Sequence, residues 1–262
     1  MSGAGPGQTA RVSSSGSSKS PKSSKSSESS ESSPSLVDRG LQLARSTWDA
    51  ARGHPFLSAG LALASLAVVL FGLYIGLEPV FTLFILAIVT VLSVVAFQWW
   101  TRRHPTVQRS RRAAGRVAFA SVALATAASV FLIQIVPYGR THSNPPVTGE
   151  PTWANDTTRQ LVVDGCYACH SNQVTYPWYS NVAPFSWAVQ HHVDEGRESV
   201  NFSEFATNPG NADESVEVIE EGEMPPGYYT RFGLHSEAKF TPEQIDDLIA
   251  GLRATPGLSE GG

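Results

Sequence analysis

The sequence predicts an all-α protein in which three transmembrane helices are followed by a small all-α domain. Three observations predict it. Three apolar runs, 57–76, 80–100 and 117–136, contain no Asp, Glu, Lys, Arg or His, and about 20 such residues in a helix cross about 30 Å of hydrocarbon. Buried helices of a soluble core would instead carry a polar face. Helix-capping patterns recur beyond the third run. The charge is divided as well: up to Arg116 there are thirteen Lys and Arg against five Asp and Glu, and from Arg140 onward six against eighteen. The two halves therefore meet different surroundings.

Taken in order, residues 1–35 are Ser-rich and poor in apolar side chains, a composition that predicts a disordered tail. The tail has no apolar h-region, so it does not read as a cleavable signal. Residues 36–53 predict an amphipathic helix with Val37, Leu41, Ala44, Trp48 and Ala51 on one stripe and Ser35 and Asp38 as its cap. It would pack on its own protein or lie on the membrane surface, and both readings stay open. Residues 54–138 hold the three-helix region. The link between its second and third helices carries six arginines and no acid, whereas the link between the first and second carries only Glu78. Basic loops stay in the cytoplasm, which puts the amino terminus inside and everything after Val136 on the extracytoplasmic side. The third helix has Ala118, Ser121, Ala125 and Ala128, small residues suited to close helix packing within the bundle or against another subunit.

A linker over 139–156, a helical domain over 157–255 and a flexible tail over 256–262 complete the division. In the domain, Asn155 or Asp156 begins a helix that carries the two cysteines near its end, the segment from Pro184 to Ser199 reads as helix, and Ser215 to Glu221 as another. Thr241 caps the last helix, with Pro242 in its first turn and Gln244 returning the capping bond.

The only two cysteines of the chain, Cys166 and Cys169, stand three positions apart and directly before His170. C-x-x-C-H is the attachment signature of a c-type haem: two thiols one turn apart meet the two vinyl groups of one porphyrin, and the histidine reaches the iron. A structural zinc site would want a second ligand pair, and a thioredoxin-like pair a surrounding βαβ pattern. The fold class is accordingly three transmembrane helices followed by a small all-α cytochrome c-like haem domain, with one covalent haem c as cofactor. A second axial ligand of the methionine type is restricted to Met224, because Met1 lies on the cytoplasmic tail. Gly222 before it stops a helix, and Pro225 and Pro226 after it stiffen the loop. His191, His192 and His235 are the alternatives.

Six consecutive motifs, CYACHSN, YPWY, APFSW, HVDEGR, NFSEF and GEMP, resemble the bacterial haem-binding domain family over roughly Thr157 to Leu252. The resemblance implies a monohaem c-type cytochrome with Cys166, Cys169 and His170 in the attachment roles and Met224 in the matching methionine position. This chain departs from the pattern at Phe205, where the family has Trp, and at Ser236, where Pro is common. Family members often have a single anchor, so the resemblance does not account for the three-helix front. Tyr176, Trp178, Tyr179 and Trp187 would wall the haem pocket, and Arg197 would pair with a haem propionate or with Glu195 or Glu198. Carboxylates from Glu214 to Glu223 would steer a basic redox partner or serve as solvated helix faces.

The function expected is a membrane-anchored electron carrier, rather than an enzyme, working in one-electron transfer on the extracytoplasmic side. Redox partner proteins and membrane lipid, but no nucleic acid, are the expected partners, within or outside a larger respiratory complex. The alternatives are a haem-based gas or redox sensor, a peroxidase-like enzyme, or a structural subunit of a respiratory complex.

Overall fold

The computed structural model of the chain describes residues 35, 38–42, 45, 49, 53–106, 110–207, 209–231 and 235–259. The expected tail and most of the apolar stripe of the amphipathic helix lie outside the described residues. In the segment up to Leu41, the cap at Ser35 forms as a reciprocal pair: the Asp38 N–H donates to Ser35 Oγ at 3.1 Å, and the Ser35 N–H donates to Asp38 Oδ2 at 3.1 Å.

Three long helices follow, α1 (Pro55–Ile75), α2 (Pro79–Arg103) and α3 (Arg111–Ile133), each long and apolar enough to cross a membrane. Proline in the first turn of α1 and α2 supplies a preset φ where no backbone donor is missed. Gly76 ends α1 in the left-handed region (φ 66°), a conformation that costs glycine little. The sequence places the third span at 117–136. The helix starts earlier, at Arg111, because Ser110 Oγ accepts the Ala113 N–H and the arginine-rich stretch joins the first turns.

α3 packs against both α1 and α2 along a line of small side chains, with Gly115, Ala118, Ser121, Ala125 and Ser129 buried. A Cβ added at Gly60 of α1 would stand 3.2 Å from Val122 Cγ2, so the helices meet closely there. Buried hydroxyls bond within their own helix: Ser93 Oγ donates to the Val89 carbonyl at 2.6 Å and Thr101 Oγ1 to the Phe97 carbonyl at 2.9 Å. The outward faces are apolar, with Leu73 70 % and Phe131 77 % exposed. Water would penalise such faces and lipid would not, which supports a membrane protein.

The second half is helical too: α4 (Asp156–Gly165), α5 (Tyr167–His170), α6 (Phe185–Ser199), α7 (Ser215–Glu220) and α8 (Pro242–Arg253), with short 3-10 turns at Trp178–Asn181, Ala212–Glu214 and Ser236–Ala238. No strand forms among the described residues, and an isolated parallel bridge joins Gly149 to Glu204. Leu161, Val162, Tyr167, Phe202, Val216, Leu248 and Leu252 make its core. α8 lies tight on α4 because Gly251 has no Cβ; one would fall 2.0 Å from Thr158 Oγ1.

A further apolar cluster joins the two halves: Leu77, Ile85, Val89 and Ile133 from the membrane helices and their ends pack against Ala183, Trp187 and Ala188. Trp187 is fully buried there, its ring 5.2 Å from that of Phe81. Gln134, just past α3, donates from Nε2 to the Ala183 carbonyl at 2.8 Å and accepts the Ala183 N–H at 3.0 Å. Tyr138 donates to Asp194 Oδ2 at 2.9 Å, and burial together with that carboxylate pushes its phenol up to about 12.

Candidate functional site

The C-Y-A-C-H segment sits where α4 breaks. The Cys166 N–H donates back to the Val162 carbonyl at 2.8 Å, ending α4, and the Cys166 carbonyl then accepts from Cys169 at 3.1 Å and His170 at 2.9 Å to open α5. Both thiols are free, and one turn of helix separates them. Burial pushes Cys166 up to about 12, with Cys169 adding to it, and pushes Cys169 up to about 11 against the opposing charge of Arg197. Both therefore stay protonated at neutral pH, unlike the thiolates that perform disulfide exchange.

His170 is oriented by the backbone. Its Nδ1 lies 3.2 Å from the Val200 carbonyl, so Nδ1 carries the proton and Nε2 presents its lone pair. Burial lowers its pKa, opposed by hydrogen bonds to the Val200 and Gly196 backbone, and the ring stays neutral, the form that binds metals.

The residues after His170 are fixed by a buried polar network reaching across some thirty positions. Asn172 N–H donates to Ser203 Oγ at 2.9 Å, Asn201 Nδ2 donates to Asn172 Oδ1 at 2.9 Å, and Asn172 Nδ2 donates to Glu204 Oε1 at 2.8 Å. The Phe202 N–H donates to the His170 carbonyl at 2.9 Å. The S-N of one motif and the N-F-S-E of another are thus two sides of one clamp, which holds the attachment helix in place. Gly196 lets α6 approach that helix: a Cβ there would stand 2.7 Å from the Cys169 carbonyl oxygen.

Two cavities of about 90 and 200 Å³ converge on this segment, and Gly165, Cys166, His170, Ser199 and Met224 line both. The first is walled by Val162, Phe202, Phe240, Leu248 and Leu252. The second adds Cys169, Tyr228 and Tyr229. Burial raises both tyrosines, Tyr228 to about 12, and keeps their phenols protonated. Met224 is half-exposed, held by its N–H to the Val218 carbonyl at 3.1 Å after the Gly222 stop (φ 75°).

Of the other sequence-predicted residues, His192 also lines the second cavity, whereas Tyr176, Trp178, Tyr179, Trp187, His235 and Arg197 lie outside these two. Trp187 is buried against the membrane helices, and Tyr176 stacks on His142 at 4.4 Å. Trp178, 80 % exposed, and Tyr179 line a third cavity, with Cys169, His192 and His235. His235 has both ring nitrogens engaged, Nε2 with Tyr179 Oη at 3.1 Å and Nδ1 with Glu237 at 3.3 Å. His192 stacks on Tyr228 at 4.9 Å, and burial lowers its pKa. Among the described residues Arg197 pairs with no carboxylate: it donates to the Ser171 carbonyl at 2.8 Å, the Ser143 carbonyl at 3.1 Å and Asn144 Oδ1 at 3.1 Å, strapping the linker to the attachment segment. Sequence reasoning missed Tyr228, Tyr229 and the role of Gly196. Only the burial of the YY pair against the cysteines reveals them.

Free thiols, a presented imidazole nitrogen and a thioether around apolar cavities are a donor set that fits a haem. Residues 128–254, just under half of the chain, match the model of a family described as haem-binding domain. The match supports a haem protein. No curated protein and no solved structure matches the chain.

Proposed function

We propose that the chain is a membrane-anchored monohaem c-type cytochrome that transfers single electrons on the extracytoplasmic side of the membrane. The observation that carries this reading is the convergence of Cys166, His170 and Met224 on the same two cavities. One haem c would be held by Cys166 and Cys169 through thioethers, by His170 through Nε2 and by Met224 through its sulfur. When bound, the haem supplies an Fe(III)/Fe(II) couple.

The chain's own part is to hold and shield. The Val200 carbonyl fixes the His170 ring, the polar clamp around Asn172 fixes the helix that carries it, and Phe202, Phe240 and Leu248 exclude water from one side. The six-arginine link is assigned to the cytoplasm, which leaves this domain outside with its exposed acids, Glu214, Glu217, Glu221 and Glu223, facing a redox partner of basic surface.

The test is to mature the full chain in a host with working haem-attachment machinery. The pigment should survive acid–acetone extraction, and reduced parent protein should bind carbon monoxide slowly or not at all. Met224→Ala should lower the reduction potential and open the iron to carbon monoxide. Complete extraction of the pigment would overturn covalent attachment. Rapid carbon monoxide binding by the parent would overturn the carrier in favour of a sensor or a peroxidase-like enzyme.

A further inference from the structure

We propose that Glu78, His191 and Glu195 form a site for a zinc-class divalent cation that ties the α1–α2 turn to α6. The site uses none of the residues proposed to hold the haem, although Glu195 also lines the second cavity beside them. Their ligand atoms lie within 4.8 Å of one another. His191 Nε2 stands 3.2 Å from Glu78 Oε1 and 3.2 Å from Glu195 Oε1. Nε2 is buried, yet among the described residues neither oxygen lies where a ring N–H could donate a hydrogen bond. Two carboxylates therefore flank a buried nitrogen that bonds to neither.

A cation accounts for that arrangement. With metal–nitrogen and metal–oxygen bonds of about 2.1 Å, an edge of 3.2 Å subtends about 100° at the metal, within the range for four to six ligands. The remaining edge, between the two carboxylates, closes by rotation of side chains that are 39 % and 60 % exposed. One imidazole and two carboxylates are borderline-to-hard donors, suited to zinc, with water completing the shell. A dication also neutralises two acids that would otherwise repel each other.

The positions show how the fold assembles the site. His191 and Glu195 are four apart on α6 and so share a face. Glu78 occupies the N-cap of α2, but its side chain does not cap the helix; it turns toward His191 instead. A cation here would cross-link the membrane helices and the haem domain beside the Trp187 cluster.

The experiment uses the full chain in detergent, stripped with chelator and titrated with zinc chloride. The parent should hold one zinc per chain, with its thermal midpoint raised by zinc. His191→Gln and Glu78→Gln should each weaken binding by roughly tenfold or more and abolish that rise, while the far-ultraviolet spectrum shows an unchanged helical fold. X-ray absorption at the zinc edge should show only light N and O neighbours near 2.0–2.2 Å. Binding that survives His191→Gln, or a sulfur shell near 2.3 Å pointing to Cys166 and Cys169, would mean an adventitious ion only and would overturn the proposal. Failure of the parent to bind zinc would do the same.

Discussion

One backbone carbonyl, that of Val200, sets which nitrogen His170 presents, and one missing Cβ, that of Gly196, sets how closely α6 approaches it. Gly196→Ala would drive a methyl to 2.7 Å from the Cys169 carbonyl oxygen and 3.0 Å from Cys169 Cβ. Backbone cannot yield as a side-chain tip can, so the substitution should cost about 1–3 kcal/mol, read as a lower urea midpoint; an unchanged midpoint would show that the helices separate freely. A second residue-scale prediction concerns acid. Glu150 receives Arg159 Nε at 2.8 Å and Nη2 at 2.9 Å. That pair, the largest cause, holds its carboxyl below the ordinary value of 4.5, against burial. Because its folded pKa is depressed, the stability it contributes is present above about pH 4.5 and is lost as pH falls through the folded value. Arg159 is partly exposed, so the amount is about 1 kcal/mol or less. Glu150→Gln should flatten the pH dependence of the urea midpoint below pH 5 by that amount, and an identical slope in both proteins would refute it.

Elements form here for local reasons in some places and tertiary reasons in others. Thr241 accepts the Gln244 N–H at 3.3 Å, and Gln244 returns a bond to the Thr241 N–H at 2.9 Å, closing a capping box on α8. Thr241→Ala should cost about 1 kcal/mol and Thr241→Ser much less, measured by denaturation; equal midpoints for all three would show that packing alone holds α8. Such caps were legible because donor and acceptor are three residues apart, and so were Asn155 before α4 and Gly222 after α7. The long apolar helices were legible from composition, and the cysteines with His170 from contiguity. The break between α4 and α5 was not, since a single helix carrying the cysteines satisfies the same pattern. Gly165 sits at that break, where a Cβ would press to 2.6 Å on Phe240, a residue seventy-five positions on. Among the aromatics, Trp178 and Tyr179 line a cavity with Cys169, but Trp187 and Tyr229 look alike as large aromatic residues, and only the docking of α6 on the membrane helices sends one to the anchor and the other to the cavity.

At the scale of the whole molecule, the membrane helices and the second half form one continuous packed body through the Trp187 cluster. Apolar contact alone would hold such a joint without fixing its register, because dispersion and burial are not directional. Gln134 supplies the direction. Its amide pairs with both the N–H and the C=O of Ala183, itself 2 % exposed, and its Oε1 also accepts Arg140 Nη2 at 3.0 Å. Replacing the amide by Gln134→Leu keeps the volume and strands two buried backbone groups, each costing about 1–3 kcal/mol when unpaired. The cost falls on the joint rather than on either half, so it should appear as local opening. Hydrogen exchange at the Ala183 amide should quicken by about tenfold or more, while the amides of α8 keep their protection. Equal quickening in α8 would mean that the two halves unfold as a single unit. No change at Ala183 would mean that the cluster around Trp187 fixes the joint unaided.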